Sequence, residues 1–332
     1  MAPVATHVVS PFRKKLRWAI VGILALMFPL MAIVMIYPPK PQADEKSAQI
    51  SGFWGPRTAN TNWCEVCTGV SSRQPCRYAH QWLMGARTLF GGLDLNVGVG
   101  LQADYAVTFY AAECWNTVTS ILITVHGVWG LWKHGWAETR SALAFFAMLV
   151  VGIGSTMFHA TLWRSMQLMD ELPMLWGNCV FMFQLYTMQI PRGRSTLKEF
   201  AGVAVFAVVA TAAIILFDDD DQNIFLLCYG GGVLYVVYKG LKMDKLYNAK
   251  NVVLYEFALL FYGGGLLLWT LDRVYCSSVQ RFHFHAIWHV CASTGTYLSV
   301  CTWVYLREAA MKGDPRVRGP FGFQYVEPGR AV

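Results

Sequence analysis

The sequence predicts an all-α polytopic membrane protein, a seven-helix transmembrane bundle plus one additional N-terminal anchor helix. Three observations carry this. Of 332 residues, 55% are hydrophobic and only 14% are charged, where soluble domains carry about a quarter charged residues. The apolar residues collect in runs long enough to cross a bilayer, which takes about 20 residues. The net charge of +7 lies in short connections between those runs, a pattern that sets membrane orientation and argues against a nucleic-acid partner.

The elements follow in order. Arg13, Lys14, Lys15 and Arg17 precede an apolar run from Trp18 to Tyr37, and Pro38 and Pro39 follow it. That run exceeds the core of a signal peptide, about 7–15 residues, and no small-residue cleavage site follows. Residues 1–41 are therefore expected to form a cytosolic basic tail and an uncleaved membrane anchor. Residues 42–104 are polar, rich in Gly, Arg and Cys, and are expected on the non-cytosolic side. Seven apolar segments then run at about 105–132, 141–163, 168–190, 199–217, 223–240, 253–271 and 284–306. They define a bundle over 105–306, with a cytosolic tail at 307–332. Glycine triplets at 230–232 and 263–265 permit close helix approach or kinks.

The loops give the orientation. With the N-terminus cytosolic, the cytosolic connections carry Lys133 and Arg140, then Arg192, Arg194 and Lys198, then Lys239, Lys242, Lys245 and Lys250. The C-terminal tail adds Arg307, Lys312, Arg316 and Arg318, against Arg164, Arg273 and Arg281 on the other side. Thirteen against three places both termini in the cytosol.

This topology brings polar residues to one leaflet. Ser155 and His159 are four apart and share a helix face. Asp170 follows a polar break at Arg164–Gln167 and is expected to open the next helix at the same end. His285 and His289 lie in the first turns of the last helix, which starts from that side. Ionisable residues within a membrane are costly and mark functional sites. The i, i+4 pair His285 and His289 has the spacing that gives one metal two ligands from one helix. With His159 it makes the three-histidine set of a catalytic zinc. A single helix-end histidine would be read as structural, and His80, His126 and His134 are so read; His283, outside the i, i+4 pair, is read as a loop residue.

Six motifs in order now resemble the alkaline ceramidase family: Gly-Phe-Trp-Gly-Pro at 52–56, Asn-Trp-Cys-Glu at 62–65, Ala-Glu-Cys-Trp-Asn at 112–116, Gly-Ser-Thr-Met-Phe-His at 154–159, Met-Asp-Glu-Leu-Pro-Met at 169–174 and Phe-His-Ala-Ile-Trp-His at 284–289. The resemblance implies a seven-helix intramembrane zinc amidase that cleaves ceramide to a sphingoid base and a fatty acid. Its zinc ligands fall on His159, His285 and His289, and its active-site Ser and Asp on Ser155 and Asp170. It also implies a calcium site at Asn62, Trp63, Glu65, Asp104 and Glu113, and a disulfide between Cys64 and Cys276. The Asn62 and Asp104 positions exchange Asp and Asn relative to the family, which leaves the charge unchanged. The N-terminal anchor and an insert at about 66–103 depart from the family pattern.

The expected partner is the membrane lipid substrate, ceramide, in the endoplasmic reticulum or Golgi. The alternative is a seven-helix receptor of the same group, with structural zinc and no significant hydrolysis. A transporter would spread polar residues through both leaflets, whereas here they cluster in one.

Overall fold

The computed structural model describes residues 53–54, 58–59, 107–134, 138–217, 222–248, 250 and 252–328. The expected anchor, and Asn62, Trp63, Cys64, Glu65 and Asp104, lie outside them. The described chain forms seven helices: α1 (Cys114–His134), α2 (Thr139–Thr161), α3 (Arg164–Tyr186), α4 (Leu197–Phe217), α5 (Asn223–Tyr247), α6 (Leu254–Val279) and α7 (Phe284–Ala310). Four of these, α2, α4, α5 and α6 (to Cys276), are long and apolar enough to cross a membrane. The other three carry many of the buried polar side chains.

α1 begins at Cys114, later than the apolar run at 105 implies. The preceding chain is bent by a bridge between Thr108 and Ala111. The N–H groups of Ala112 and Glu113 bond across to Ala160 O and His159 O, each at 2.9 Å. Hydropathy registers Val107–Tyr110 as span, but these cross-chain bonds hold the segment against the end of α2.

The α2–α3 junction also differs from expectation. The polar stretch Arg164–Gln167 is the first turn of α3, and the break is Leu162-Trp163. Leu162 is left-handed at φ 51°, which costs a non-glycine residue about 1–2 kcal/mol. Its side chain is fully buried, and its carbonyl accepts from Thr58 N at 3.1 Å and Ala59 N at 2.9 Å. Thr58 Oγ1 also accepts from Arg164 N at 3.0 Å, supplying one of the bonds α3 lacks at its start. Asp170 therefore sits in the second turn of α3 rather than opening it.

Pro173 lies inside α3. It cannot donate, so the Met169 carbonyl one turn back loses its helical partner. Gly154 of α2 faces that carbonyl, and a Cβ there would come within 1.9 Å of Met169 O. This close approach of α2 and α3 is what sets Ser155 beside Asp170.

The main core joins Phe145 and Met148 of α2, Tyr255 and Leu259 of α6, and Tyr297–Leu306 of α7. A second cluster, including Leu175, Phe225, Trp269 and Trp288, lies nearer the histidines. α4 buries only Ala210 and Ile214 and is apolar all round, the profile of a lipid-facing helix.

After α7 the chain turns back on itself. β1 (Arg316–Arg318) pairs antiparallel with β2 (Tyr325–Glu327), Val317 opposite Val326. Val326 N donates to His134 Nε2 at 2.9 Å, Trp129 Nε1 to Phe323 O at 3.1 Å and Tyr297 Oη to Gln324 O at 2.5 Å. Lys133 Nζ lies 4.1 Å from the ring centre of Trp132 and 4.6 Å from that of Tyr325. The segment taken from sequence as a tail is a hairpin packed on α1 and α7.

Candidate active site

Ser155 and His159 lie one turn apart near the end of α2, and His285 and His289 one turn apart at the start of α7. All four are buried. The structure brings the three histidines together: one ligand atom from each lies within 4.8 Å of the others. The His159 ring centre is 5.2 Å from that of His285 and 4.8 Å from that of His289.

The hydrogen bonds around the rings fix which nitrogens face inward. His159 Nδ1 meets Glu113 Oε2 at 2.5 Å. A carboxylate only accepts, so Nδ1 carries the proton and Nε2 keeps its lone pair. His159 Nε2 is buried with no hydrogen-bond partner among the described residues. His289 Nδ1 lies 3.1 Å from Thr119 Oγ1 and 3.2 Å from Ser120 Oγ. Both hydroxyls already donate to carbonyls of their own helix, Thr119 to Trp115 O at 2.8 Å and Ser120 to Asn116 O at 2.7 Å. His289 Nδ1 must then be the donor, again leaving Nε2 as a free lone pair. Three buried imidazoles, two of them oriented by outer hydrogen bonds with Nε2 lone pairs available, could hold a metal ion.

Ser155 and Asp170 face the same cavity beside this cluster. Ser120 Oγ lies 3.1 Å from Ser155 Oγ, so one α1 hydroxyl touches both Ser155 and His289. Asp170 is only half-buried, because it lines a cavity of about 420 Å³ with Ser155, His285 and His289. The walls run on through Met174, Phe181, Tyr229, Tyr262 and Trp303. Phe158 and Trp288 line it too, whereas Trp163 and Trp176 do not. Trp163 instead donates to Trp54 O at 3.2 Å, and Trp176 to Thr211 Oγ1 at 2.9 Å, tying α3 to α4.

Sequence reasoning missed Thr119, Ser120 and the polar chain beside Asp170. In that chain Gln167 and Gln222 both donate to Glu171 Oε1, and Arg273 Nη1 donates to Gln222 Oε1 at 3.0 Å. A Ser or Thr inside an apolar helix has no spacing signature, and Gln222 and Arg273 belong to different helix ends. Of the expected calcium ligands only Glu113 is described, bonded to His159 and to Asn116 Nδ2. Cys276 is disulfide-bonded, and its expected partner Cys64 lies outside the described residues. His126 and His134 bond Ser293 and the C-terminal hairpin, away from the cluster.

The sequence comparisons agree with one another. A family model described as Ceramidase matches residues 102–322. Alkaline ceramidase 3 of Mus musculus is 26% identical over 296 residues, 85% of this chain and 94% of its own. The alkaline ceramidase of Arabidopsis thaliana is 25% identical over 289 residues, 81% of this chain and 92% of its own. Alkaline ceramidase 1 of Homo sapiens is 28% identical over 245 residues, 68% of this chain and 91% of its own. With a match that spans the whole helical bundle and relatives of one kind, the chain belongs to the ceramidase family, among the alkaline ceramidases.

Proposed function

We propose that the protein hydrolyses the amide bond of ceramide to a sphingoid base and a fatty acid, with zinc held by His159, His285 and His289. The observation that supports this best is the meeting of three buried histidines, two of them with an inward Nε2 lone pair, with Ser155 and Asp170 at one end of an apolar cavity. When bound, zinc supplies Lewis-acid activation of water near neutral pH.

The chain's own residues do the rest. The cavity holds the lipid chains and keeps bulk water from the reacting amide. Asp170 takes the proton of the attacking water and passes it to the leaving nitrogen. Ser155 turns its one hydroxyl proton from Ser120 to the carbonyl oxygen as negative charge develops there. Glu113, Thr119 and Ser120 hold two of the ligand rings in orientation.

Two further assignments belong to this reading. Calcium is proposed at Asn62, Trp63, Glu65, Asp104 and Glu113, and Glu113 would then touch both metal sites. A Cys64–Cys276 disulfide is proposed; Cys276 is bonded, while Cys179, Cys291 and Cys301 carry free thiols. The protein is proposed to reside in the endoplasmic reticulum or Golgi with both termini cytosolic.

The test is an assay of purified wild type and Asp170→Asn on a panel of ceramides, with zinc measured in both. Sphingoid base released by wild type alone, at equal zinc, supports the hydrolase. Zinc bound but no release from any ceramide moves the weight to a receptor.

A further inference from the structure

At the helix ends opposite the histidines, five charged side chains converge. Glu138 accepts from three arginines: Arg140 Nε at 2.8 Å, Arg192 Nε at 3.1 Å and Arg307 Nε at 3.1 Å. Arg192 also pairs with Glu308. Three guanidinium groups against two carboxylates leave an excess of positive charge, and exposed Arg194 and Lys198 add to it.

Two of the arginines are already occupied by backbone. Arg307 Nη1 donates to Met188 O at 2.6 Å and Ile190 O at 2.7 Å, fastening the end of α3 to α7. Arg140 Nη1 donates to Thr187 O and Thr187 Oγ1, both at 2.8 Å. Arg192 is different, because its side chain is 53% exposed. A guanidinium carries five N–H donors, and the two bonds made by Arg192 leave donors to spare.

Beside this cluster lies a second cavity of about 630 Å³. Arg140, Arg192 and Glu138 form its polar side, and Leu143, Phe183 and Phe200 its apolar side. It sits between the first turns of α2 and α4 and the last turn of α3, where α4 is loosely held: the residues α4 buries, Ala210 and Ile214, lie far along the helix from Phe200. A cationic rim over an apolar wall, at the end of membrane-length helices, matches an amphiphile with an anionic head and an acyl chain. The same end carries the basic excess that sequence assigns to the cytosolic side, whose leaflet holds anionic lipids.

We infer that this cavity is a binding site for an anionic phospholipid, its phosphate on Arg192 and Arg140 and one acyl chain against Phe183 and Phe200. The lipid fills the gap between α4 and the bundle at a site remote from the histidines, so its occupancy does not depend on the proposed hydrolysis.

The full-length protein is reconstituted in phosphatidylcholine vesicles with trace spin-labelled phosphatidylglycerol or spin-labelled phosphatidylcholine, and motionally restricted probe is measured. Wild type should restrict the phosphatidylglycerol probe in excess of the phosphatidylcholine probe. Arg192→Gln should weaken that preference about fivefold, as expected for removing one basic group facing an anionic headgroup. Phe200→Ala keeps the charge cluster intact and should also weaken it. Zinc content and thermal unfolding in phosphatidylcholine check that both variants fold. Equal restriction of the two probes by wild type would overturn the proposal, as would an unchanged preference in folded Arg192→Gln. Glycerol phosphate in solution displacing the probe as well as added phosphatidylglycerol does would refute a lipid occupant.

Discussion

Glu113 Oε2 and His159 Nδ1 lie 2.5 Å apart, both buried, joining the first turn of the bundle to its histidine cluster. The contact fixes the ring's tautomer and its direction. Glu113→Gln should keep the side-chain volume but weaken zinc binding about 10- to 100-fold, the usual effect of removing an outer partner of a metal-bound histidine. Competition with a chromophoric chelator measures it, and an unchanged affinity would leave Glu113 a packing residue.

His289 has two partners on one nitrogen, Thr119 and Ser120. Each hydroxyl can cover for the other, so Thr119→Val and Ser120→Ala should each affect zinc affinity little. The double variant should lose more than the sum of the two, as residues sharing a partner do. Additive losses in the same chelator titration would contradict the shared-partner geometry.

Asp170 lines the cavity with Ser155 and is not one of the three grouped histidines. Asp170→Asn should keep zinc and lose about 10²- to 10⁴-fold in turnover, the contribution of a positioned acid–base group. Loss of zinc in step with activity would reassign Asp170 to metal binding.

Gly154 packs against the Met169 carbonyl that Pro173 leaves without a donor. Gly154→Ala should force α2 and α3 apart and cost about 1–3 kcal/mol. The shift displaces Ser155 from Asp170, so thermal stability and turnover should fall together. Wild-type behaviour in both would mean that the helices separate without penalty.

The hairpin after α7 is held partly by Tyr297 Oη donating to Gln324 O. Tyr297→Phe should destabilise the protein by about 0.5–1.5 kcal/mol and leave zinc content unchanged, because the contact lies beyond the histidines. Thermal melts and metal analysis of the same preparation check both.

Much of this site could be read from sequence, for identifiable reasons. His285 and His289 announce themselves by i, i+4 spacing, and His159 joins them once the helices are given alternating directions. The sequence also puts Ser155 and Asp170 near it, although its polar stretch Arg164–Gln167 suggests a junction that lies instead at Leu162-Trp163. A left-handed leucine is chosen by tertiary bonds from Thr58 and Ala59, which no local pattern encodes. Thr119 and Ser120 escaped because hydroxyls in apolar helices commonly bond their own carbonyls, as these two also do. The hairpin escaped because its strands are three residues each and buried mainly at one position, Val326.

The histidines also bear on how the chain is assembled. His159, Ser155 and Asp170 come from one helical hairpin, neighbours in sequence that can meet early at little entropic cost. His285 and His289 arrive with the last helix, after α4, α5 and α6 have been placed. A metal bridging the two halves would act as a clasp on the longest loop in the bundle, and loop closure is most costly where the loop is longest. Metal affinity and the docking of α7 would then be two readings of one equilibrium. Changes that loosen α7 far from the histidines, such as at Trp303 or Arg307, would surface first as lost metal.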